Sequence, residues 1–146
     1  MSTRCCVVVK DNGKGSTAGE WHAYLHSDGY PDGVGALCKQ FINWAKGPRD
    51  HECIGTATVG VPPNVLTEAG KMMACFLGWI WAHGYHSAYM TKDASFHGDL
   101  EYIWTIELKE GEAKLTGVEL CDNEGFDWDD IPLKSVYDPP EVINPN

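Results

Sequence analysis

The chain has 146 residues, 43% apolar and 11% aromatic, a size and composition that build one packed domain without disulfide or metal staples and exclude a disordered or fibrous chain. Its formal net charge of −10, from 21 acidic and 11 basic residues, has the wrong sign for gripping a nucleic-acid backbone. No apolar run reaches the roughly 18 residues of a membrane span and Met1-Ser2-Thr3-Arg4 does not open a signal peptide, so a cytoplasmic protein is expected, in the host cytosol if the chain is viral.

The run Cys-Cys-Val-Val-Val within residues 4–10 predicts a first strand, and the Gly-rich stretch after it predicts a hairpin connection. Residues 20–27 predict a second strand, with Trp21, Ala23 and Leu25 on a core face and His22, Tyr24 and His26 on a wetter one. Beyond a turn at 28–33, Val34, Leu37, Cys38, Phe41, Ile42 and Ala45 recur at helical spacing until Gly47-Pro48. Residues 53–61 read as a loop or weak strand. A longer helix is expected from about Pro63-Asn64 to His83, stopped by Gly84, with Leu66, Ala69, Met73, Phe76, Leu77 and Ile80 on its buried stripe.

Strands are then predicted over 87–92, 99–108 and 113–120, the last two joined by Lys109-Glu110-Gly111-Glu112. The order ββααβββ argues for an α+β fold, an antiparallel sheet of about five strands with two helices on one face. Residues 1–120 are expected to form this domain, and 121–146 an acidic, Pro-containing strap packed by Phe126, Trp128, Ile131, Leu133 and Tyr137, or a tail that frays. From Glu119 onward eight acids face one base, Lys134. The six cysteines contain no C-x-x-C pair and are read as buried thiols of a reducing compartment.

Several polar features have ordinary structural explanations. Gly13-Lys14-Gly15-Ser16-Thr17 lacks phosphate-loop spacing and suits a hairpin tip. His22 and His26 on a strand lie about 13 Å apart, too far to share one ion, and His83 and His86 flank a helix end. The densest signal is Asp28-Gly29-Tyr30-Pro31-Asp32-Gly33, where two glycines, an X-Pro unit and two acids make a turn with Asp32 placed to cap the helix. Turn chemistry accounts for each residue. The same turn presents helix N–H groups beside Tyr30, which makes Asp28, Gly29, Tyr30, Asp32 and Gly33 candidates for binding a small anionic, nucleotide-type ligand.

A second polar cluster, His97-Gly98-Asp99, leads into the strand that carries Glu101 and Tyr102. If it lies beside the end of the second strand, His26, Asp28, His97 and Asp99 form a candidate catalytic or ligand set, with a divalent metal as the cofactor it would hold. Local backbone bonding by His97 or Asp99 is the plainer account.

The combination of His-Ser-Asp-Gly-Tyr-Pro-Asp-Gly-Val-Gly (26–35) with His-Gly-Asp-Leu-Glu-Tyr-Ile-Trp (97–104) resembles a group of small uncharacterised phage and prokaryotic proteins. In these an H-x-D-G-Y-P turn opens a helix and a G-D-[LI]-E-Y-x-[WY] strand follows. The resemblance covers about residues 20–120 and implies a shared fold and a mobile-element origin, with no chemistry attached. With the charge, and without a nucleophile-plus-base motif, it favours a phage-type accessory protein that antagonises a host factor, with Asp127, Asp129 and Asp130 as partner-binding residues. The alternatives are a metal-assisted hydrolase and a minor structural or assembly protein.

Overall fold

Five consecutive apolar residues with no polar alternation mark a strand covered on both sides, and Cys5 to Val9 are all buried. They lie in β1 (Cys5–Asp11), the third strand of a six-stranded sheet. The computed structural model of the chain describes residues 3–46, 52–54, 57–59, 66 and 68–133. The remaining elements are β2 (Glu20–Leu25), α1 (Ala36–Lys46), β3 (Glu52–Ile54), β4 (Ala57–Val59), α2 (Ala69–Ala82), β5 (Tyr89–Thr91), β6 (Tyr102–Lys109), β7 (Glu112–Glu119) and β8 (Glu124–Phe126).

The spatial order is β5-β2-β1-β6-β7-β8. All neighbours are antiparallel except β1 and β6, which run parallel with Cys5 opposite Tyr102. The α+β class holds, but the sheet is mixed, not antiparallel, and it has six strands. The parallel pair arises because the chain leaves β2 through both helices and β5, then returns to the free side of β1. The sixth strand, β8, is short and Glu/Gly-rich, so it carries no hydrophobic period. At the stretch read as a loop or weak strand, β3 and β4 pair as a separate antiparallel ribbon.

Both helices pack on one face of the sheet. There Val7, Val9, Leu25, Trp104, Ile106 and Leu115 meet the predicted α1 stripe, all of it buried, and Met72, Met73, Phe76, Trp79 and Ile80 of α2. The predicted start of α2 near 63–64 lies outside the described residues, and the helix begins at Ala69 because Glu68 is extended. Its first N–H groups are satisfied from a distance: Ala69 N donates to Asp11 Oδ2 at 2.6 Å and Gly70 N to the Thr17 carbonyl at 2.9 Å. Gly84, at φ 101°, ends the helix as expected.

Residues 121–133 stay on the fold. Lys39 of α1 is buried and donates to the carbonyls of Trp128 and Ile131 at 2.7 and 2.8 Å, its Nζ 4.7 Å from the Trp128 ring centre. Ile131 is buried and Phe126 and Trp128 are half-buried, whereas Leu133 is exposed, against the expectation that it packs. Tyr137 lies outside the described residues. Cys5, Cys6 and Cys38 are buried and Cys75 half-buried, but Cys121 is exposed in the β7–β8 turn.

At the centre lies Trp104, fully buried, its Nε1 donating to the Gly29 carbonyl at 2.8 Å. The indole fits because its flanks are glycine: a Cβ at Gly35 would come within 2.9 Å of the ring, and one at Gly117 would overlap it. Trp104→Phe keeps an aromatic ring but strands the Gly29 carbonyl and leaves a void. It is expected to lower the unfolding free energy in urea by about 2–4 kcal/mol.

A second expectation concerns pH. His83 is buried with Nδ1–H donating to the Trp79 carbonyl at 2.9 Å, and burial lowers its pKa against the opposing pull of that bond. The unfolded imidazole, near 6.5, takes a proton that the folded one resists, so this contribution is complete above that value and is lost as pH falls through it toward the folded value. The stability advantage of the wild type over His83→Gln, read by urea unfolding, is therefore expected to shrink as pH falls from about 8 to about 5.

Candidate functional site

The turn between β2 and α1 is organised by Asp28, which sits at φ 60°. Its carbonyl accepts from Val34 N at 2.6 Å, Oδ1 accepts from the Tyr30 hydroxyl at 3.0 Å, and Oδ2 accepts from the Tyr85 hydroxyl at 2.8 Å. The turn is thereby tied to the segment that follows α2. Pro31 to Gly35 form a wide turn with Gly33 at φ −109° and ψ −107°, and a Cβ there would overlap the Asp28 carbonyl.

The N–H groups expected to face an anion are committed within the turn. Gly33 and Gly35 donate to the Tyr30 carbonyl, Val34 to that of Asp28, and Ala36 to those of Gly33 and Pro31. Gly29 and Gly33 are buried, Gly29 bonding Thr3 through its N–H and Trp104 through its carbonyl. Asp32 does not cap the helix: it is exposed within the turn. Burial, then Asp28 and Asp32, raise the Tyr30 pKa.

The second cluster gathers on the opposite face of the sheet. His97 stacks on Tyr24 with ring centres 4.2 Å apart and planes at 15°, and His26 meets the same ring edge-to-face at 4.8 Å. The Tyr24 hydroxyl donates to Asp99 Oδ2 at 2.9 Å, and Arg4 Nε lies 3.0 Å from the same oxygen. Burial first, then Asp99, pushes the Tyr24 hydroxyl up to about 12. His97 Nε2 lies 2.9 Å from Thr91 Oγ1. β1 separates the end of β2 from the start of β6, yet residues 92–101 cross back over β2 and bring His97 to Tyr24.

His26, His97 and Asp99 thus meet around one tyrosine, while Asp28 bonds two tyrosines on the helix-bearing side. The four candidate residues do not share one centre, and among the described residues no three His, Cys, Asp or Glu side chains are placed to hold a metal ion. Of the wetter face predicted for β2, His26 is exposed but His22 and Tyr24 are buried. Tyr24 packs with Cys6, Ala94, Leu100 and Ile103, and His22 is buried with Nδ1 accepting from Ala94 N at 2.7 Å and Nε2 against Glu20 Oε2 at 2.8 Å. The accepting Nδ1 places the ring proton on Nε2.

Among the buried thiols, burial raises Cys5, Cys38 and Cys6, the last to about 12, so these are weak nucleophiles. The tip at 13–17 docks on α2 instead of forming a loop for phosphate, with the Thr17 N–H and hydroxyl donating to Glu68 at 2.9 and 2.7 Å.

A third grouping was not foreseen from the sequence. Tyr102, half-buried and stacked on Trp104 with planes at 7°, has its pKa raised by burial first, and then by Glu119, Glu101, Glu124 and Asp32. The register pairs Tyr102 with Glu119 and Glu119 with Glu124, so two carboxylates oppose one another on neighbouring strands. At the far end of the same ribbon Glu107 opposes Lys114 and Lys109 opposes Glu112. The signal was present in the sequence, because the turn at 110–111 fixes the hairpin register. Asp127, Asp129 and Asp130 are exposed just beyond β8, in a short turn where Asp127 N donates to Asp130 Oδ2 at 2.9 Å.

Comparison of the chain with family models, with curated proteins and with solved structures finds no match.

Asp28 combines a left-handed backbone with two hydroxyl donors, and two substitutions separate these contributions. Asp28→Ala is expected to destabilise by about 2–4 kcal/mol in urea, and Asp28→Gly to recover about 1 kcal/mol of that by relieving the backbone. Equal costs for the two would show that the positive φ stores no strain.

Proposed function

We propose that this chain is a small acidic binding protein, phage-encoded as its two motifs suggest, that engages and antagonises a basic host protein through the start of β6, the end of β7 and β8. The observation that carries this reading is the register that sets Glu119 opposite Glu124 on neighbouring strands and beside Tyr102, whose hydroxyl pKa is raised by burial and then by Glu119, Glu101, Glu124 and Asp32. Like charges directly opposite one another cost stability in a sheet, and the same ribbon places opposite charges face to face elsewhere. A partner bearing arginine and lysine relieves that repulsion. The exposed Asp127, Asp129 and Asp130 extend the field that steers such a partner in.

The chemistry of the remaining groups supports binding over catalysis. Burial raises the pKa of Cys6, Tyr24 and Tyr30, which keeps these groups protonated and weak as nucleophiles. A metal-assisted hydrolase using His26, Asp28, His97 and Asp99 would need residues that lie on two faces of the sheet.

The test uses an arginine-rich peptide as probe, followed by fluorescence anisotropy at physiological and at raised salt. Glu119→Lys with Glu124→Lys is expected to weaken binding by at least about tenfold, while Glu107→Lys with Glu112→Lys, the same change in net charge, alters it less than about threefold. Glu124→Lys alone creates an opposite-charge pair with Glu119 and should raise the thermal midpoint while it weakens the probe. Equal loss in the two double variants would reduce the effect to net charge and sink the proposal.

A further inference from the structure

β5 is an outer strand of the sheet, and among the described residues no strand pairs with its free side. Three large apolar side chains are exposed there: Trp81 at 48%, Tyr89 at 45% and Met90 at 47%. Trp81 is fixed beside the strand by its Nε1 donating to the Ala88 carbonyl at 2.8 Å. Tyr89 and Met90 leave β5 on opposite faces, opposite Tyr24 and Ala23 of β2. Beside Met90 a cavity of about 360 Å³ opens between Glu20, Trp21, His22, Thr91 and Lys92.

These features select the occupant. An open strand edge is a template on which extended main chain can displace water and continue the ladder. The exposed halves of the three side chains amount to ~300 Å², well short of the ~800 Å² per partner in a stable folded interface. A second copy of the chain would lack contact area here, whereas one extended segment matches it. The charges at the rim narrow the chemistry. The Glu20 carboxylate is held by His22 at 2.8 Å and that of Asp93 by Ser95 N at 2.9 Å, while Lys92 makes no ion pair among the described residues.

We infer that β5 receives an extended segment of a partner protein as a seventh strand of the sheet. An apolar side chain of that segment enters the cavity between Trp21 and Met90, and a carboxylate on it pairs with Lys92. This edge is the one opposite β8, so the inference stands or falls separately from the acidic surface.

The experiment is selection of random displayed peptides on the full chain, with counter-selection on a folded Tyr89→Lys, Met90→Lys variant. Enriched peptides are expected to carry an apolar residue near an acidic one or near a free C-terminus. They should bind the double variant at least about tenfold more weakly, Lys92→Glu several-fold more weakly, and Glu119→Lys, Glu124→Lys unchanged. Should the double variant not fold, hydrogen exchange on the wild-type chain decides instead: bound peptide is expected to slow exchange of amides 89–91. Enrichment of no peptide, enriched peptides that leave amides 89–91 unprotected, or a dimer by light scattering that dissociates in Tyr89→Lys would each overturn the inference.

Discussion

The indole N–H of Trp104 bonds the Gly29 carbonyl inside the core, and the geometry of the turn that carries Asp28 depends on that bond. It joins the central strand β6 to the turn that launches α1. A buried carbonyl with no donor is costly, so the turn must present Gly29 to the ring, and the ring must find room beneath it. Gly35 and Gly117 provide that room. Asp28 then holds the turn from its other side, through Tyr30 and Tyr85. The two sequence motifs are in this sense one structural unit, with Gly29 in the first bonded to Trp104 in the second. Their pairing is explained by packing and carries no chemistry of its own.

β1 is the second constraint. Because it is buried on both faces, it divides the polar residues near its start into two populations that cannot meet. Alternation along β2 and its continuation sends Tyr24 and His26 to one side, and the left-handed backbone of Asp28 turns its carboxylate to the other. A shared His/Asp centre would require Asp28 to follow the alternation of the strand, and its positive φ ends that alternation. Asp32 and Glu101, whose carboxylates make no ion pair among the described residues, both act on the Tyr102 hydroxyl.

Much of this was legible in the sequence where one physical period dominated. The α1 stripe, the hairpin β6–β7 and the Gly84 stop follow from spacing and turn chemistry, and the structure keeps all three. Features set by distant contacts were not legible. The start of α2 is fixed by Asp11, 58 residues earlier in the chain, and no local pattern encodes that. The parallel pairing of β1 and β6 had a trace in the unbroken apolar run Cys5 to Val9, since alternation is lost when both faces are covered. Lys39 was hidden for a related reason. Carbonyls of Trp128 and Ile131, which have no side-chain signature, satisfy its charge.

The ribbon β6–β7–β8 carries its charges in two different ways, and the difference bears on function. At the hairpin end, each acid faces a base across the strands, the arrangement that stability alone would choose. At the other end Glu119 faces Glu124, with Glu101 and Asp32 close by, although a lysine at any of these positions would remove the repulsion. The fold can carry this cost because the neighbouring anchors are not electrostatic between acids and bases: Trp104 is held by packing and one backbone carbonyl, and β8 is followed at once by the turn that Lys39 grips through main-chain oxygens. Local repulsion at the open end is therefore kept apart from the core, and it is what the proposed cationic partner would relieve. Under the proposed function, this charge distribution would favour a bound state at a cost to the free one.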